Sequence, residues 1–159
     1  MLITQIIANL NTTHADYSQH QIDYIELEWF ELTKRILRKT SLHNQELGIN
    51  ISEPGFNFCD QDILFADEQR VIAIKVLPTQ AIAITAANNH EIARICYELG
   101  NRHAPVFYAE DDHNVLLVPF DQPMLVLLSK LGVTTQVVNA RLVCPLSHKT
   151  NSHAHSHEH

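Results

Sequence analysis

The chain has 159 residues, 45% of them hydrophobic and 18% charged, with a formal net charge of -7 and eleven histidines. That length holds one ordinary domain or two small ones, and the composition excludes a disordered or fibrous chain. The net negative charge repels nucleic acid and attracts cations, so metal ions are expected among the partners and nucleic acid is not.

No apolar run approaches a membrane span. The opening stretch MLITQIIANLNTTHADYSQ has no basic region ahead of its broken apolar segment, so a cytoplasmic protein with no membrane association is expected. Cys59, Cys96 and Cys144 are an odd number without a CxxC spacing, which argues against a disulfide framework and a thiolate zinc knot. Each reads as a small buried apolar residue.

In chain order, LITQIIANL, QIDYIELEWF, TKRILRKT, ELGINI, DILF and RVIAIKVL read as strands, separated by the turn-forming stretches HNQELG, EPGFNFCDQ and ADEQR. Residues 1–77 are therefore expected to form a small all-β domain. One of these strands carries Lys34, Arg35, Arg38 and Lys39, four of the eleven lysines and arginines. It reads first as a solvated face or a protected sheet edge, and second as a docking strip for an acidic partner.

The rhythm changes after Pro78. TQAIAIT is a strand, and NNHEIARICYELG places Ile92, Ile95, Cys96 and Leu99 on one face of a helix started by Asn88 with Glu91 and ended at Gly100. APVFYAE and NVLLVPF follow as strands. DQPMLVLLSKLG is a second helix, capped by Asp121, with Pro123 in its first turn and Gly132 at its end, and VTTQVVNARLV is the last strand. The class is α+β, and the order β-α-β-β-α-β over residues 78–144 is that of a ferredoxin-like domain. The chain from Cys144 to His159 is polar and unpatterned, with residues 145–159 a flexible histidine-rich tail.

Catalytic patterns are missing: the chain has no P-loop, GxGxxG, GxSxG or HExxH, so a non-enzyme is expected. The charge and the lack of an RNP1 pattern also count against an RNA-recognition module. What stands out is histidine. His103, in YELGNRHAPVFY, lies on a short corner between the first helix and Pro105, and two copies facing across a dimer axis could share an ion. His113, with Asp111 and Asp112, sits in a segment that reads as a turn or as a second metal site. His153, His155, His157 and His159 alternate with other residues in HAHSHEH. That interruption, after a stretch without linker composition, argues against an engineered tag.

The segments LEWFELTKRILRKTS, DILF, ICYELGNRHAP and PFDQPMLVLLSKLGV, in that order and followed by a histidine-rich end, resemble the UreE family of urease accessory proteins over essentially the whole chain. GNRHAP after a helix is the most specific piece. The resemblance implies a non-catalytic nickel metallochaperone with an N-terminal domain for partner or peptide binding. It implies a homodimer built through the C-terminal domain, with His103 from both chains as the central Ni2+ ligand. It also implies transfer of nickel with the GTPase UreG to apo-urease and its other accessory proteins. Dimer and metal-linked dimer of dimers both stay open.

Imidazole suits Ni2+, Zn2+ and Cu2+ alike, so selectivity must come from geometry, availability and partner. The tail histidines would close the shared site reversibly. Since imidazole binds metal only when neutral, affinity should fall as pH drops through about 6.5. Two rivals use the same residues differently: a nickel or zinc storage protein without a dedicated acceptor, and an interaction module that binds protein without metal.

Overall fold

The structure is a computed structural model that describes residues 1–53 and 55–146. Its N-terminal half contains two sheets. Strands β1 (Leu2–Ile3), β4 (Ile36–Thr40) and β5 (Glu46–Asn50) join in the order β1-β5-β4. Strands β2 (Ala8–Asn9), β3 (Gln21–Leu27), β6 (Asp62–Ala66) and β7 (Arg70–Val76) join in the order β2-β6-β7-β3. Strand β7 lies inside its sheet, and Val71, Ile72, Ala73 and Ile74 are all buried. Both of its faces are covered, which explains a continuous apolar run where a half-exposed strand would alternate. Ile72 and Ile74 join Ile25 and Leu27 against Ile3, Leu37, Leu47 and Ile49 of the other sheet, while Val71 and Ala73 pack on the opposite face with Ile63.

The segment LITQIIANL is not one strand. Its first residues pair with β5 in one sheet and Ala8–Asn9 pair with β6 in the other, so the chain must break between them. The end of QIDYIELEWF also leaves its sheet, since Trp29–Glu31 is a 3-10 turn.

In the other half, β8 (Thr79–Thr85), α1 (Asn89–Asn101), β9 (Phe107–Tyr108), β10 (Val115–Pro119), α2 (Gln122–Leu131) and β11 (Thr134–Ala140) run β-α-β-β-α-β. With β12 (Cys144–Pro145) they make one antiparallel sheet in the order β11-β8-β10-β9-β12. The stretch from Cys144 onward is thus not wholly unpatterned. Strand β9 has an open side, and Cys144 and Pro145 pair with Tyr108 and Phe107 along it. The histidines at 153, 155, 157 and 159 lie outside the described residues.

The helices form where local chemistry starts them. The Asn88 side chain accepts the Glu91 N–H at 3.0 Å, and Asp121 accepts the Met124 N–H at 3.0 Å, so each helix has a capped N-terminus. Ile95 and Leu99 of α1 and Leu128 of α2 bury their apolar stripes on Ile82, Ile84, Leu116 and Val118 of the sheet. The opposite sheet face carries Ala81, Phe107, Leu117 and Leu142, and Trp29 of the N-terminal half packs there. Its indole meets the Phe107 ring edge-on at 6.0 Å. Cys59 and Cys96 are half-buried, contrary to the expected full burial, because both line a cleft of about 510 Å³ between the halves.

Candidate metal centre

His103 sits where α1 stops. The helix continues through Gly100 to Asn101, so Gly100 is not its terminator. Instead the His103 N–H donates to the Gly100 carbonyl at 3.0 Å, and the Ala104 N–H reaches back to the Leu99 carbonyl at 3.0 Å. This pair of bonds is a Schellman closure, and it requires a left-handed residue at the position His103 fills, where φ is 51°. Glycine is the usual occupant because a Cβ is penalised there. The Arg102 guanidinium completes the end by donating to the Glu98 carbonyl at 2.9 Å and pairing with the Glu98 carboxylate. The Glu98, Leu99 and Gly100 carbonyls of the last turn are therefore satisfied, and its negative end is matched by a cation.

The His103 side chain is exposed. It borders a shallow depression of about 420 Å³ between the end of α1 and the start of α2, where Trp29, Pro105, Phe120, Met124 and Leu127 supply apolar walls. Trp29 lies far from His103 in sequence, and no periodicity links the two. Only the packing of Trp29 on Phe107 brings it to the same depression.

His113 is exposed in the turn between β9 and β10, its ring edge-on to Tyr108 at 5.5 Å. Asp112 spends its carboxylate on that turn, accepting the Asn114 backbone N–H at 2.9 Å and side-chain amide at 3.0 Å. Among the described residues, no three of the histidines, cysteines and acids are grouped to hold a metal ion. His103 is thus a single, outward-facing imidazole outside any such group.

Comparison with known proteins follows the same division of the chain. Residues 3–77 match the family described as the UreE urease accessory protein, N-terminal domain, and residues 79–159 match its C-terminal domain. The chain belongs to the UreE family. It is 35% identical over 156 residues to the urease accessory protein UreE of Flavobacterium johnsoniae, covering 98% of this chain and 92% of the relative. It is 38% identical over 144 residues to the protein of that name from Helicobacter pylori strain Shi470, covering 89% and 82%. The corresponding protein of Helicobacter acinonychis is 37% identical over 143 residues, with the same coverage. The two UreE matches meet at Pro78, between β7 and β8, and the second extends over the histidine-rich end.

Among the described residues no helix is long and apolar enough to cross a membrane.

Proposed function

We propose that this chain is a nickel-binding metallochaperone of urease maturation. It works as a cytoplasmic homodimer in which His103 and the partner subunit's His103 begin one shared Ni2+ site. The observation that carries this reading is the conformation of His103. An exposed imidazole occupies a backbone position where glycine is cheaper, and such strain is retained at functional sites. Its apolar surroundings fit a surface covered by a second copy, which would place the two imidazoles face to face. The sheet order of the C-terminal half supports a ferredoxin-like reading of that domain.

Two imidazoles leave a nickel sphere incomplete, and the histidines at 153, 155, 157 and 159 are suited to finish it. Ligands that close the site one at a time can be exchanged one at a time, which is what delivery requires. The acceptor reading, UreG and then apo-urease, rests on the urease accessory role named for the relatives. The same donors take Zn2+ and Cu2+, so nickel preference must be imposed by geometry and partner. His113 serves as a secondary ligand at most, since the adjoining Asp112 carboxylate is engaged in its own turn.

Calorimetric nickel titration, with mass measured in parallel, tests the proposal on the intact chain, on His103→Ala and on a chain ending at Ser147. His103→Ala should remove the tightest site, and truncation should only lower capacity or weaken binding. If truncation alone matters, the tail is the metal site and His103 is not its centre.

A further inference from the structure

The strongest feature that the metal reading leaves unused is β4. It is the edge of its sheet and pairs only with β5, in an unbroken antiparallel register from Ile36 opposite Asn50 to Thr40 opposite Glu46. The Ile51 N–H donates to the Arg35 carbonyl and the Ser41 N–H to the Gln45 carbonyl, which fixes the odd-numbered residues as those bonded to β5. Ile36, Arg38 and Thr40 therefore turn their backbone N–H and carbonyl groups to the open side. None of those groups finds another partner among the described residues.

Edges that resist pairing carry a bulge or charged side chains; β4 has no bulge, and its inward-facing charge, Lys39 on the face of Leu37, is already neutralised by Glu31. Ile36 is 74% exposed, and Phe30 nearby is 51% exposed. Arg35 and Arg38 are exposed and make no ion pair among the described residues, whereas Lys39 is already held by Glu31 at 2.6 Å. Lys34 lies over the Phe30 ring at 5.5 Å. An open backbone ladder, an exposed isoleucine and unneutralised cations thus coincide on one strand, in a chain whose net charge is -7.

We infer that the outer edge of β4 binds an extended acidic segment of a partner protein as an added strand, with backbone hydrogen bonds to Ile36 and Arg38 and ion pairs to Arg35 and Arg38. Charge decides the occupant. A second copy of this edge would set arginine against arginine, which costs rather than stabilises, while acidic and apolar residues placed in pairs present both types on each face, matching Ile36 and Arg38 on one and Arg35 on the other. The surface lies in the other half of the chain from His103 and does not depend on the metal site.

The test uses the full chain and a fluorescein-labelled peptide of about ten residues in which pairs of glutamates alternate with pairs of valines, so that each face presents both. Three comparisons accompany it: the same peptide N-methylated at alternate backbone nitrogens, the double variant Arg35→Glu/Arg38→Glu, and a single-stranded oligonucleotide as competitor. Anisotropy should show binding of the plain peptide that is on the order of tenfold weaker for the double variant and similarly weakened by N-methylation. Circular dichroism of the variant should be unchanged, and His103→Ala should bind the peptide normally. Equal binding of the N-methylated peptide overturns strand addition. Displacement by the oligonucleotide in preference to the peptide makes the strip a nucleic-acid surface, and no peptide binding at all overturns the inference outright.

Discussion

Arg141 and Asp60 join the two halves of the chain through an ion pair of 2.6 Å, although one follows β11 and the other precedes β6. The guanidinium also grips both oxygens of Glu110, at 2.6 and 3.1 Å, so it is held on two sides. Asp60 in turn accepts the Val76 N–H at 2.8 Å, at the last residue of β7 before the junction. Although desolvation works against the charge, Asp60 and Glu110 outweigh it and raise the Arg141 pKa above its ordinary value.

Arg141→Ala should therefore loosen the junction more than it unfolds either half. Its side chain is 37% exposed, so solvent screening holds the expected loss to about 1 kcal/mol. Limited proteolysis near Pro78 should accelerate in this variant, and the effect should shrink in high salt, where the pair is already weakened. Unchanged cleavage would show that the apolar contacts, Trp29 with Phe107 and Val143 with the N-terminal core, hold the halves without it.

Replacing His103 separates stability from function. His103→Gly should stabilise the fold by about 1 kcal/mol, because glycine adopts the left-handed position without the Cβ penalty. His103→Ala should give no such gain, yet both should lose the proposed tight nickel site. Gly100→Ala is the control. Nothing lies within 4 Å of a Cβ added there, and Gly100 is inside α1, so alanine should stabilise by about 0.5–1 kcal/mol and leave nickel binding intact. Thermal unfolding and calorimetry on the three variants check all of these outcomes.

What could be read from the sequence was local. Asn88, Asp121, Gly132 and the stripe of Ile95 and Leu99 act within one or two turns of helix, and each took its expected place. The end of α1 was misplaced because Gly100 is the ordinary choice for a left-handed residue, and nothing nearby signals that His103 takes that conformation instead. The break in LITQIIANL, the parallel pairing of β3 with β7 and the approach of Trp29 to His103 depend on partners distant in sequence. Local propensity carries no information about such pairings.

Acid should weaken the N-terminal half through Glu31. Its carboxylate accepts the Lys39 ammonium at 2.6 Å and the Glu28 N–H at 3.0 Å. Burial alone would raise its pKa, but the bonds from Lys39 and Glu28 outweigh that and bring it below the ordinary 4.5. A depressed carboxyl stabilises the fold fully above its unfolded pKa and loses that contribution as pH falls through the folded value. Stability should therefore be flat above about pH 5 with respect to this group and decline below 4.5. Glu31→Gln should be less stable at neutral pH and show a shallower acid decline, as read from urea midpoints between pH 3 and 7.

Trp29 offers a direct report on the proposed metal centre, because it is the only tryptophan in the chain and lines the same depression as His103. Ni2+ is an open-shell ion that quenches a nearby indole. Nickel held at His103 should lower the emission in step with the calorimetric filling of the tight site. Ions held only by the tail would leave the signal without that stoichiometric relation to His103. The decisive comparison is His103→Ala, in which quenching should disappear at nickel concentrations that saturate the intact protein. Truncation at Ser147 should preserve quenching but shift its midpoint to higher nickel. Full quenching retained in His103→Ala would place the bound ion with other ligands near Trp29 and remove His103 from the centre of the site.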